Sequence, residues 1–135
     1  MKKIILGLAV LFILAVTVSC KKKKDGNEGG CGEQAVKATT IPATGTVDPP
    51  APGTEFPLVV NIEPLPATGA TVVVSAKAEN SGTAYFTETR DNAIGSNSFS
   101  ITKTPTGVSC IVTVTVTSKT CNTNTWSGTY RYTAK

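Results

Sequence analysis

The sequence predicts an all-β domain, built as an antiparallel β-sandwich of six or seven strands. Thr occurs 22 times, 21 of them after residue 20, whereas only two of the six Leu lie there. β-Branched side chains favour strands over helices. From Phe56 onward apolar and polar residues alternate with a period of two, and turn-forming residues recur at roughly ten-residue spacing. No stretch after residue 20 has helical periodicity, so the domain is expected to contain strands alone.

The alternation places six strands along the chain. They are predicted at 56–63, 72–79, 83–90, 98–102, 108–118 and 126–133. The fifth has the clearest pattern, with Cys110 and the valines after it on one face and threonines on the other. Residues 36–55 are rich in Pro, which cannot donate to a β-ladder, so they are predicted to be irregular or at best an edge strand. Asp91 and Asn92 are predicted to end the third strand, and 91–97 to form a plain turn, because their spacing matches no calcium loop.

The N-terminus has the features of an export signal. Lys2 and Lys3 precede an apolar run over 4–16, which is shorter than the ~20 residues of a membrane-spanning helix. The segment Thr17-Val18-Ser19-Cys20 resembles the lipobox of bacterial lipoproteins, in the looser form common in the Bacteroidota. The resemblance implies cleavage after Ser19 and a lipid on Cys20. An ordinary signal peptide cut nearby is the alternative.

The predicted organisation is a lipoprotein signal peptide over 1–19, a lipid-anchored flexible tether over 20–35 and a β-sandwich over 36–135. The tether begins with Lys21–Lys24 and has almost nothing apolar to bury. Its lysines could lie against anionic head groups or form a solvated spacer. By analogy with enterobacterial sorting, Lys after the Cys favours anchoring in the outer membrane. Whether the domain faces the periplasm or the cell surface stays open.

Composition excludes several classes of function. The chain contains no His, which removes Ser–His and Cys–His catalysis and His-based metal sites. Without residues 1–19 the chain has 11 basic and 9 acidic residues, and four of the basic ones lie in the tether. The folded part is therefore close to neutral, and no nucleic-acid partner is predicted. The carboxylates have no spacing that suggests a glycosidase pair. The sequence thus predicts a protein that is not an enzyme and needs no cofactor.

Residues 36–135 resemble the small immunoglobulin-like or fibronectin-III-like domains of bacterial lipoproteins in their strand pattern. In an immunoglobulin-like topology the last hairpin turn lies at the same end as the N-terminus of the domain. The resemblance therefore implies that Cys121 can meet Cys31 in a disulfide, with Cys110 buried in the core. A bridge between Cys110 and Cys121 is disfavoured, because an extended strand separates them by ~30 Å. The absence of a bridge and the other pairings remain open alternatives.

The predicted function is that of a lipid-anchored cell-envelope protein acting as a non-catalytic interaction or structural module. It would attach to the membrane through its N-terminal lipid and dock to an envelope protein by a face or an edge strand. The alternative is a glycan-binding or adhesion module that uses the final hairpin, with Trp126, Tyr130 and Tyr132 as the ligand surface. That alternative requires an exposed Trp126 and a coplanar Tyr. The opposing interpretation is that these rings fill a core otherwise built from Val and Ala.

Overall fold

The structure, a computed structural model, describes residues 30–135, which form seven β-strands after a short 3-10 turn at Gly30–Gly32. The strands are β1 (Ala38–Ile41), β2 (Phe56–Ile62), β3 (Ala70–Ala78), β4 (Ala84–Ala93), β5 (Ser96–Ile101), β6 (Ser109–Ser118) and β7 (Thr125–Thr133). The predicted signal peptide, the lipidation site Cys20 and the lysines of the tether lie outside the described residues.

The strands form two antiparallel sheets, which confirms the predicted β-sandwich. One sheet has three strands in the order β1-β2-β5, and the other has four in the order β4-β3-β6-β7. The fourth strand pairs with the third, whereas in constant-type immunoglobulin domains the fourth pairs with the fifth. The chain therefore changes sheets between β4 and β5.

The core lies between the two sheets and is built from the inward-facing residues of each strand. β6 follows the predicted alternation, with its even-numbered residues from Cys110 to Ser118 buried and its odd-numbered residues half-buried. From the opposite sheet, Leu58, Val60 and Ile62 of β2 are buried. Each aliphatic side chain buried in this way contributes roughly 1.5–3 kcal/mol relative to exposure. The period-two pattern of the sequence thus determines which face of each strand packs.

The predicted end of the third predicted strand, which corresponds to β4, at Asp91 and Asn92 is wrong. β4 continues through both residues to Ala93, and the chain changes sheets at Ile94-Gly95. Asn97, only 1% exposed, holds this crossing: its Oδ1 accepts a hydrogen bond from the Ile94 amide (3.0 Å), and its Nδ2 donates to the Ile94 carbonyl (2.6 Å). The strand continues because β3 supplies a partner as far as Ala93, which the local turn propensity of Asp and Asn does not outweigh.

The Pro-rich stretch contains one edge strand and one segment that crosses between the sheets. β1 pairs with β2 from Ala38 to Ile41. Beyond Pro42 the chain leaves β2 and runs parallel to β7, with the amides of Asp48 and Ala51 donating to carbonyls of that strand at 2.8 and 3.1 Å. This crossing segment, residues 42–51, covers the edge that β7 would otherwise expose to other chains.

Candidate functional site

The structure joins Cys31 and Cys121 in a disulfide, with their Cα atoms 5.9 Å apart. This is the pairing that the immunoglobulin-like topology implied. Cys121 lies in the turn between β6 and β7, and the described chain begins next to it. Cys110 is the free cysteine among the described residues and is fully buried. The disulfide therefore fixes the start of the domain to one end of the sandwich.

Asn124, which is 3% exposed, reinforces the same attachment through hydrogen bonds to two residues of the predicted tether, Glu33 and Gln34, and to Val36 at the predicted start of the sandwich. Its Oδ1 accepts from the Val36 amide (2.9 Å), and its Nδ2 donates to Glu33 Oε2 and the Gln34 carbonyl (both 3.0 Å). A side chain at Gly30 would collide with Thr123, so the close approach of the chain requires glycine there. Residues 30–36 thus lie against the β6–β7 turn.

The three aromatic residues proposed as a ligand surface do not share an exposed face. Tyr130 and Tyr132 are each 2% exposed, with ring centroids 6.1 Å apart. Trp126 is partly buried against the core, and its ring occupies the space that a side chain at residue 128, here Gly128, would fill. Flat stacking on a sugar needs an exposed ring face, which neither tyrosine offers. The aromatic hairpin therefore gives the glycan-binding alternative little support.

Tyr130 and Tyr132 instead contribute to the lining of a groove between β1 and β7, which we call the seam groove. Its volume is about 370 Å³. Its lining consists of Ile41, Pro42, Asp48, Phe56, Pro57, Val59, Tyr130 and Tyr132. The groove exists because β1 stops at Ile41, opposite Val59, so that the first three residues of β2 have no partner in β1. The crossing segment closes the other side.

The walls of the seam groove are apolar apart from one carboxylate and the tyrosine hydroxyls. Ile41 is 64% exposed, and Pro57 is also exposed at the rim. Asp48 is the one ionisable acid in the lining, and among residues 30–135 no Lys or Arg lies within salt-bridge distance of it. A hydrogen bond from its amide to the Arg131 carbonyl (2.8 Å) fixes its backbone. The groove therefore presents a negative charge beside an apolar surface.

The two tyrosines of the groove differ in their hydrogen bonding. The Tyr132 hydroxyl bonds to the hydroxyls of Tyr85 (2.6 Å) and Thr104 (2.7 Å). The Tyr130 hydroxyl is buried and has no hydrogen-bond partner among the described residues. Burial, reinforced by the negative potential of Tyr132 and Asp48, raises the pKa of Tyr130 above its ordinary value. The Tyr130 hydroxyl is thus neutral and without a partner among the described residues, and the Asp48 carboxylate is close enough to contribute to its raised pKa.

Two other concave surfaces lack such an unpartnered group. A cavity of about 440 Å³ lies between the loop over 64–68 and Glu33. Its acid is already engaged, because Glu33 accepts hydrogen bonds from Thr120 (2.6 Å) and Asn124. A shallower depression of about 250 Å³ lies along β1 and is lined by residues such as Lys37 and Asn61. The seam groove is therefore the strongest candidate site.

The outer face of the four-stranded sheet is rich in threonine, and two cross-strand pairs of its hydroxyls lie within hydrogen-bond distance. Thr117 and Thr125 lie opposite each other, with their Oγ1 atoms 3.2 Å apart, and Thr115 Oγ1 lies 3.5 Å from Ser127 Oγ. Cross-strand pairs of this kind stabilise a sheet. This face thus has a structural explanation that requires no ligand.

The acidic residues among residues 30–135 are dispersed, and two of them form ion pairs. Glu79 bonds to Arg131 (2.6 Å) and Glu88 to Arg90 (2.8 Å). The Arg131 guanidinium and the Ser109 side chain hold the pKa of Glu79 below its ordinary value. Within residues 30–135 no three His, Cys, Asp or Glu side chains are placed to hold a metal ion.

Comparison with protein-family models, with characterised proteins and with solved structures finds no match for this chain. No helix in the part of the chain described by the structure has the length and apolar character needed to cross a membrane. The function must therefore be inferred from the seam groove and from the N-terminal sequence.

Proposed function

We propose that this chain is a bacterial lipoprotein of the cell envelope that acts as a non-catalytic protein-interaction module, with an immunoglobulin-like domain carried on a lipid anchor at Cys20. The observation that carries the proposal is the seam groove, an open apolar groove with the Asp48 carboxylate in its lining. An exposed apolar surface with a few polar groups is typical of a binding site.

The position of the disulfide supports attachment at one end of the domain. Disulfides persist in exported, oxidising compartments, in keeping with a lipoprotein signal. Ten residues lie between Cys20 and Cys31, and such a length spans at most roughly 40 Å. The anchor would then join the domain at the end of the sandwich that carries the β6–β7 turn. Tyr130 lies further along β7, so the groove would be roughly 20 Å from the point of attachment.

The membrane part of the proposal is tested by metabolic labelling of cells with an alkyne-bearing fatty acid. We expect the wild-type chain to be labelled and recovered with the outer membrane, and the Cys20→Ser variant to be unlabelled. Labelling that persists in Cys20→Ser, or a wild-type chain that takes up no label, would refute lipidation of Cys20. Treating intact cells with a protease then distinguishes a surface-exposed domain from one that faces the periplasm.

The interaction part is tested by photo-crosslinking in intact cells. A photoreactive amino acid is placed at Pro57, on the rim of the groove, and at Thr129, which is exposed on the outer face of the other sheet. We expect one defined protein adduct from position 57 and none from position 129. Adducts that are equal at the two positions, or absent from both, would contradict a partner-binding role for the seam groove.

A further inference from the structure

We propose that the seam groove receives a lysine side chain from an extended segment of a partner protein. This inference rests on the proposed interaction function and specifies its chemistry. A lysine has an apolar four-carbon stem that ends in an ammonium group with three donors. The groove offers apolar walls for the stem, formed by Pro42, Phe56 and Val59, and one carboxylate for the head, that of Asp48.

Charge complementarity is the reason that the ligand is a cation. The Asp48 carboxylate lies on the groove lining, and no cation within residues 30–135 neutralises it. A group buried beside it must supply positive charge, because burying an unpaired charge is costly. A lysine side chain therefore matches both the charge and the apolar walls of the groove.

The shape of the groove favours a lysine carried by a peptide. β2 extends three residues past its last pairing with β1, so Phe56–Leu58 leave the side of the strand open where β1 would have continued. An extended segment can lie along this opening and direct one side chain inward. Pro57 has no amide proton, which limits the number of backbone hydrogen bonds available there. Most of the specificity must therefore come from the side chain in the groove.

The experiment uses the full chain, purified in detergent and labelled with 3-fluorotyrosine. The chain has three tyrosines and should give three ¹⁹F resonances, of which the Tyr130→Phe variant identifies one. The probe is a capped peptide, Thr-Val-Lys-Val-Thr, and its matched control contains norleucine in place of lysine. We expect the lysine peptide to shift the Tyr130 resonance saturably and to bind at least about tenfold more tightly than the norleucine peptide.

Variants of the acids separate recognition from non-specific attraction. Asp48→Asn should lower the affinity for the lysine peptide to that of the norleucine peptide without unfolding the chain, because the backbone of Asp48 makes its structural hydrogen bond. Asp91→Asn removes an exposed acid that is outside the groove lining and should leave the affinity unchanged.

Three outcomes would overturn the proposal. Equal affinity for the lysine and norleucine peptides would show that the groove recognises only apolar groups. Binding of butylammonium as tight as that of the peptide would assign the site to small amines. A Tyr130 resonance that does not respond to the peptide would exclude lysine from the groove. If crosslinking at position 57 still identifies a partner in any of these cases, the interaction function stands and only its lysine chemistry fails.

Discussion

The sandwich has two lateral seams where the sheets meet, and they are closed in opposite ways. At the β4–β5 seam the guanidinium of Arg90 lies 4.4 Å from the centre of the Phe99 ring and also pairs with Glu88. Asn97 bonds to the backbone of the crossing. At the β1–β7 seam the crossing segment leaves a groove, and the Tyr130 hydroxyl has no partner. One seam is sealed by satisfied polar groups, and the other is left open.

The difference comes from the residues that each seam uses. Arg90 and Glu88 lie opposite Val72 and Val74, on the core side of an edge strand, where long side chains can cover apolar surface and also discourage pairing with other chains. At the other seam, prolines at 42 and 57 lack the amide protons that a continuing β1–β2 ladder would need. The open seam is therefore built into the backbone, whereas the sealed seam depends on side chains.

Strong alkali should destabilise the β1–β7 side of the sandwich and, with it, the whole fold. Burial raises the pKa of Tyr85, Tyr130 and Tyr132, and the hydrogen bond to Tyr132 raises that of Tyr85 further. A raised pKa means that the folded state keeps protons that the unfolded chain releases. Stability should be unaffected below about pH 10 and should fall as the pH rises beyond that value.

The measurement follows absorbance at 295 nm and far-ultraviolet circular dichroism on one sample as the pH rises. Tyrosinate should form together with the loss of β-structure. Three tyrosines that ionise near pH 10 while the dichroism stays native would contradict the burial of their hydroxyls.

The largest effect of a single substitution is expected at the sealed seam. Asn97→Ala removes the hydrogen bonds that satisfy the amide and the carbonyl of Ile94, in a side chain that is 1% exposed. We expect the free energy of unfolding to fall by about 2–3 kcal/mol, as measured by urea denaturation of the full chain. The control is Asn122→Ala at an exposed position, where the loss should be within about 0.5 kcal/mol. Equal losses for the two variants would show that Asn97 does not hold the crossing.

The sequence was sufficient to predict the sandwich because the pattern that specifies it is local. The alternation along 109–118 alone identifies the buried face of β6, and the structure agrees residue by residue. The predicted end of β4 was wrong because Asp91 and Asn92 have turn propensity. The strand that extends β4 is β3, which is more than ten residues away in the sequence and so leaves no local signal.

The seam groove could not be predicted from the sequence for a related reason. Its lining comes from residues near 41, 48, 57 and 131, which meet only because the chain leaves β2 and crosses to β7. Tyr130 and Tyr132 were singled out for their aromatic character, and they do reach the groove, but as buried residues at its base. Asp48 lies in a Pro-rich stretch, where no local sequence pattern indicates that it lies near a tyrosine.

A smaller loss is expected from Tyr132→Phe at the open seam. This hydroxyl joins those of Tyr85 and Thr104, so its removal leaves both of them without the partner they have in the native chain. We expect a loss of about 1–2 kcal/mol in the free energy of unfolding, measured with the same urea titration. A neutral result would indicate that water replaces the missing hydroxyl and therefore has access to this part of the core.

The smallest effect is expected from Tyr130→Phe, which deletes a single oxygen from the neighbouring tyrosine of the same strand. Because the Tyr130 hydroxyl is buried without a partner, its removal should relieve a desolvation cost and leave the chain unchanged or up to about 1 kcal/mol more stable. The pair Tyr130→Phe and Tyr132→Phe differs only in hydrogen bonding, so opposite signs in one urea titration would isolate that cause. If Tyr130→Phe is destabilising by as much as Tyr132→Phe, the Tyr130 hydroxyl is already satisfied in the folded chain.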